Sequence, residues 1–262
     1  MVTAETADTH READTVTIRR IGVGDLGAAL LQGWRDFSAI PTQLVFLAIL
    51  YPLIGLVAAR AASGGHLLPL LWPLATGFAL VGPVTALGLC QISWRRERML
   101  PTSWLNAFDV LRSPALVPIL CVTAFLGAIF VAWLIAARII WNATMGGFVP
   151  EDMGELLNAV LHTHAGWRLI LIGNGVGLLF ALLVLATSVI TFPILLDRPM
   201  PPERAVALSL RATVTNPVPV LLWGLLVAVM LAVASIPFFL GLSVAVPVLG
   251  HATWHLYRRL IT

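Results

Sequence analysis

The chain contains no lysine, and all 16 of its basic residues are arginines. A glycine-rich phosphate loop of the lysine-bearing kind is therefore excluded. Charge of either sign is scarce: 11% of the 262 residues are charged and 59% are apolar, and the mean hydropathy is +0.92. These values lie outside the range of soluble globular domains and place the chain in lipid. The arginines are dispersed between apolar runs and form no continuous basic face, which argues against a nucleic-acid partner. Only two cysteines are present, Cys90 and Cys121. Both fall in apolar runs with no second cysteine at ligand spacing, so they read as small core residues and not as a disulfide or a metal pair.

Carboxylates are missing where transport chemistry would use them. All 13 Asp and Glu residues lie in the N-terminal tail, in short amphipathic segments or in loops, and none is inside an apolar run. A proton relay is disfavoured on that ground, whereas a channel or carrier built from backbone carbonyls and hydroxyls is not. Thr76, Thr85, Asn174, Thr187, Ser188 and Thr191 are the polar residues available to line such a path, although interhelical bonding is their more common role. No Gly-x-Ser-x-Gly elbow occurs. Gly173, Gly175 and Gly177 fall in an apolar run, where small residues let helices approach closely. Neither a catalytic residue nor a cofactor is expected.

What is present is a series of long uncharged runs. Ala212 to Tyr257 spans 46 residues without one Asp, Glu, Lys or Arg. As a single helix it would measure roughly 69 Å, about twice the hydrocarbon thickness of a bilayer, so it must cross, turn near Ser235-Ile-Pro237 and cross back. Phe37 to Ala59 and Leu67 to Trp94 supply two earlier spans, joined by the turn Arg60 to His66, with Pro41 and Pro52 at the start and within the first. Pro114 to Ala137 and Leu169 to Leu196 supply two more.

A short amphipathic helix is expected before each odd-numbered span. Leu26, Leu30, Gly33, Trp34 and Phe37 form the apolar face of the first, with Asp25, Gln32, Arg35 and Asp36 opposite, placed flat on the bilayer. Thr102 or Ser103 caps the second, which sets Trp104, Leu105, Phe108 and Leu111 against Asn106, Asp109 and Arg112. Pro201-Pro202-Glu203 starts the third. The loop 142–167 is long enough to hold a small helix at about Glu151 to Leu161.

The expected fold is therefore all-α: a polytopic membrane protein with six transmembrane helices as three hairpins over residues 19–262, each preceded by a short amphipathic surface helix, after a disordered cytoplasmic tail at 1–18. No cleavable signal peptide is visible. A shift of 73 residues lays Asp36 on Asp109 and Pro41 on Pro114, which reads as an internal repeat. Thirteen arginines flank the side holding both termini and three, Arg60, Arg138 and Arg168, the other. By the positive-inside rule both termini are cytoplasmic.

The richest cluster of functional side chains closes the chain: His251, Trp254, His255, Tyr257, Arg258 and Arg259. His251 and His255 are four apart and share a helix face, but further ligands for a metal are lacking nearby. An interfacial anchor with Trp254 and Tyr257 in an aromatic belt is the expected role, with binding of an anionic lipid headgroup as the sharper alternative. His162 and His164, near Glu151, Asp152 and Glu155, read as surface-loop residues.

The six-span plan, the Gly82-Pro83 step, the Arg95-Arg-Glu-Arg98 loop and above all Gly250-His-Ala-Thr-Trp-His-Leu-Tyr-Arg-Arg259 resemble a bacterial family of predicted integral membrane proteins, the domain of unknown function number twenty-one eighty-nine. The resemblance implies a multi-pass protein of the bacterial inner membrane and no particular activity. A non-enzymatic scaffold or accessory protein is the expected function, with a passive carrier or channel for a lipid or small solute as the alternative. The expected partners are membrane lipids, anionic ones among them, and a second copy of the chain or another membrane protein.

Overall fold

The computed structural model describes residues 16–40, 86–237 and 239–262, together with Pro69, Pro73, Leu74 and Pro83. The N-terminal tail to residue 15, the first expected span from Pro41 onward with Pro52, the turn at Arg60 to His66, Thr76, Gly82 and Thr85 lie outside the described residues, as does most of the second expected span.

Helices account for the regular structure: α1 Val23–Ala39, α2 Leu87–Glu97, a 3-10 helix Trp104–Arg112, α3 Leu116–Met145, α4 Met153–His162, α5 His164–Ser188, α6 Thr191–Asp197, α7 Pro202–Thr215, α8 Pro217–Ser235 and α9 Leu242–Leu260. No strand occurs among the described residues, only an isolated antiparallel bridge between Ile18 and Ile261. Local sequence sets many of the boundaries. Asp152 caps α4 by accepting from the Glu155 amide at 2.8 Å, and Ser103 and Asn106 cap the 3-10 helix. Pro202 and Pro217 open α7 and α8, where the missing N–H has no intrahelical acceptor to lose.

Three helical stretches are long and apolar enough to cross a membrane: Leu116–Met145, His164–Asp197 and Pro217–Ser235. They coincide with the third, fourth and fifth expected spans. The fourth is interrupted after Ser188, because Pro193 cannot bond to the carbonyl of Val189 and its ring crowds that carbonyl, so the helix restarts at Thr191. The expected sixth span does form a helix, α9, separated from α8 by the anticipated turn after Ser235. Its second half carries His251, His255, Arg258 and Arg259, which keeps it out of the apolar set.

The chain divides into two compact units. In the first, α1 packs along α9, α2 packs on α9 and on the 3-10 helix, and α6 to α8 complete the contacts. Its interior centres on α9, where Trp254, Leu256, Tyr257 and Leu260 are all buried. Two glycines permit the close crossings: a Cβ at Gly33 would stand 2.6 Å from the Ala252 amide nitrogen, and one at Gly88 would stand 2.9 Å from the Ala107 Cβ. In the second unit, Ala124–Val184 with Pro69, Pro73 and Leu74, the Trp133 indole packs on Phe180 and donates to the Pro73 carbonyl at 2.9 Å. Gly177 meets the Trp133 ring, whereas Gly173 and Gly175 have open space beside them among the described residues.

Two expectations need correction. Asp36, placed by periodicity on the face opposite Leu26, Gly33 and Phe37, is 7% exposed and buried along with them. Asp36, Asp25 and Gln32 reach α9 because His255 and Arg259 offer them partners, while Arg35 is exposed. Of the two cysteines read as core residues, Cys90 is buried, but Cys121 is exposed on the surface of α3.

Candidate functional site: a polar clasp at the end of the last helix

The last three turns of α9 bring together side chains from α1, α2 and α6. Spacing alone puts His251 and His255 on one face. His255 Nε2 lies 2.8 Å from Oδ2 of Asp36 on α1, and His251 Nδ1 lies 2.8 Å from the Ser93 hydroxyl on α2. Ser93 in turn donates to the same Asp36 oxygen at 2.5 Å. The result is a chain, His251, Ser93, Asp36, His255, running from a fully buried imidazole to a partly exposed one. Arg96 closes it with Nε 3.2 Å from Asp36 Oδ1.

Proton counting fixes the roles. Burial alone would raise the Asp36 pKa, but the hydrogen bonds from His255 and Ser93, with the charge of the two imidazoles, more than offset it and hold the carboxyl below its ordinary value. Ionised, Asp36 only accepts, so the single Ser93 proton points to it and His251 Nδ1–H must donate to Ser93. In a neutral His251 ring Nε2 is then a buried lone pair with no partner among the described residues. Ser93 lies between imidazole and carboxylate, whereas a hydrolytic triad needs the imidazole in the middle. The arrangement orients groups and does not activate a nucleophile.

Neighbouring side chains of α9 make a second set of bonds. Glu97 accepts from Trp254 Nε1 at 2.8 Å with one oxygen and from Arg258 Nε at 2.9 Å with the other. Asp197, the last residue of α6, accepts from the Tyr257 hydroxyl at 2.8 Å and from Arg98 at 3.2 Å. Arg259 reaches back to α1, donating to Asp25 at 3.1 Å and to Gln32 at 3.2 Å. Arg98 lies 3.9 Å over the Trp94 ring.

All six residues singled out from the sequence are therefore in one cluster. Their surroundings differ from the expected aromatic belt: His251, Trp254 and Tyr257 are shielded from the surface, Trp254 at 1% exposure. Asp36, Ser93, Glu97, Asp197 and Arg96 complete the cluster. The acidic residue within Arg95-Arg-Glu-Arg98 was the one local signal for any of them, since a carboxylate inside a basic block needs a partner. Among the described residues no group of three His, Cys, Asp or Glu has the geometry to hold a metal ion. An open cleft of about 460 Å³ adjoins the clasp, bordered by Asp36, Arg96, Glu97, His255, Arg258 and Arg259.

The other candidates remain apart from the clasp. His162 and His164 are exposed at the junction of α4 and α5. Thr191 donates to the Thr187 carbonyl at 2.5 Å and reaches the Ala205 carbonyl of α7 at 3.4 Å. Exposed Asn174 bonds within its own helix to Ile170.

No curated protein and no solved structure matches the chain. The closing phrase Gly250 to Arg259 lies beyond the stretch that a family model covers, while Arg95 to Arg98 and the α2, α3 and α5 helices fall within it. Residues 71–197 match the family model described as "Predicted integral membrane protein (DUF2189)", and with its several long apolar helices the chain is an integral membrane protein.

Proposed function

We propose that this protein is a non-enzymatic scaffold or accessory component of a bacterial inner membrane, a six-span domain at 19–262 with both termini cytoplasmic. The observation that carries the reading is the mutual pairing in the clasp. Its carboxylates, Asp25, Asp36, Glu97 and Asp197, each accept from protein donors, so the densest polar cluster among the described residues holds helices together. The apolar residues that would meet partners or lipid lie along the spans: Leu171, Leu178 and Leu179 of α5 and Val218, Leu225 and Val233 of α8 are each more than half exposed. Such faces join membrane helices by packing and not by charge. The carrier alternative draws on the cleft beside the clasp.

Purification in mild detergent followed by native mass spectrometry and cross-linking in membranes tests the two readings. A stable homo-oligomer or a stoichiometric membrane-protein partner is expected. A partner-free monomer that speeds flux of a lipid or small solute in proteoliposomes would replace the scaffold reading with the carrier.

A further inference from the structure

The cleft beside the clasp carries an imbalance of hydrogen-bonding capacity. Its acceptors are the more fully used: Asp36 Oδ1 faces Arg96, Asp36 Oδ2 accepts from Ser93 and faces His255, and each Glu97 oxygen accepts one bond, from Arg258 and from Trp254. Its donors are used less. A guanidinium has five N–H groups. Arg96 directs Nε to the Asp36 carboxylate and Nη1 to the Asp36 carbonyl at 3.3 Å. Arg258 uses Nε on Glu97 and sets Nη1 3.6 Å from Asp197. Arg259 uses Nη1 on Asp25 and Nη2 on Gln32. Each arginine thus keeps unengaged N–H groups, and all three border the same cleft.

Charge does not decide the ligand, since Asp25 and Asp197 stand behind Arg259 and Arg258 as Asp36 and Glu97 stand beside Arg96 and Arg258; the surplus is one of donors. The ligand that fits is therefore rich in acceptors, as an oxyanion is. The cleft, about 460 Å³ and open on one side, admits a phosphate without restricting what the phosphate carries. Guanidinium forks match phosphate oxygens in pairs. Met99, 92% exposed at the lip, offers apolar surface to whatever the phosphate carries. We propose that this cleft binds a phosphate oxyanion through Arg96, Arg258 and Arg259, with the carboxylates Asp36 and Glu97 holding the guanidiniums in place. His251, sealed behind Ser93, takes no part in the contact.

The test uses the full chain in nanodiscs of two compositions. In phosphatidylcholine discs, inorganic phosphate is titrated calorimetrically; in discs containing phosphatidylglycerol, native mass spectrometry counts the retained anionic lipid. Wild-type protein is expected to hold one or the other, and Arg96→Gln and Arg258→Gln to weaken it roughly tenfold each through loss of a charge-assisted bond. Retained phosphatidylglycerol that inorganic phosphate does not displace assigns a lipid headgroup. Phosphate bound in phosphatidylcholine discs and competing with phosphatidylglycerol assigns a soluble oxyanion. Wild type that binds neither overturns the site, as does a Gln variant with an unchanged melting midpoint and unchanged binding. If the Gln variants do not fold, Arg258→Lys is measured in their place. It keeps the charge and loses the fork, so binding as tight as wild type overturns the proposal.

Discussion

Asp36 is the residue on which the clasp turns, because one carboxylate joins α1 to α2 through Ser93 and to α9 through His255. Replacing it by Ala leaves His255 and Arg96 without their anion and is expected to destabilise the protein by about 3–5 kcal/mol, read as a lower melting midpoint in detergent. Its pKa is held below the ordinary carboxylate value, so its contribution is complete above about pH 4 and is lost as pH falls through the folded value. Wild type should therefore lose melting temperature on acidification below about pH 4, and Asp36→Asn should lose less over the same interval; parallel curves would remove Asp36 from the acid response. At Gly33 the constraint is steric. Any side chain would meet backbone atoms of Ala252 and Val248 on α9, so Gly33→Val is expected to cost about 1–3 kcal/mol by the same measurement. The His251 and His255 pairing was legible in the sequence, since a spacing of four defines a face. Their partners were not, because Ser93 and Asp36 lie 158 and 219 residues away and helical periodicity says nothing about which helix a polar face will meet.

For the elements, the legible features were those with a local cause. Proline at a first turn, a Ser cap and an uncharged run placed α8, the turn after Ser235 and the starts of α3, the 3-10 helix and α7 to within a few residues. The ends of α3 and α5 were less legible: the first was expected to stop at Ala137 and runs to Met145, and the second was expected from Leu169 and begins at His164. Arg138 and Arg168 were read as loop residues, yet long arginine side chains reach polar surroundings without ending a helix. The short helix α4 has no buried residue, and Asn158 on it is exposed. It is expected outside the membrane on the face opposite the termini. A cysteine placed at Asn158, with Cys90 and Cys121 replaced, should react with an impermeant maleimide in intact spheroplasts, while a reporter fused after Thr262 should be active only in the cytoplasm. Labelling at Asn158 only after the membrane is opened would reverse the orientation.

For the whole molecule, the first described helix packs along the last. The membrane class was legible from composition alone, because no soluble core accommodates so few charges. That the first described helix and the last form the central pair of a unit was not, since neither carries a sequence mark of the other. This pairing sets a schedule during synthesis. At about 5–20 residues per second, the ribosome needs roughly 10–45 s to travel the 219 residues from Asp36 to His255. Throughout that interval α1 has been made and its carboxylate has no imidazole to meet. Nascent chains arrested before Leu242 should accordingly show α1 open to protease or to cross-linking with insertion factors, and chains carried past Thr262 and clear of the exit tunnel should show it protected. Protection of α1 in the shorter chains would mean that another element holds its place. Between Asp36 and His255 the growing chain thus carries its first described helix waiting, a window in which membrane quality control meets a carboxylate that the finished fold hides.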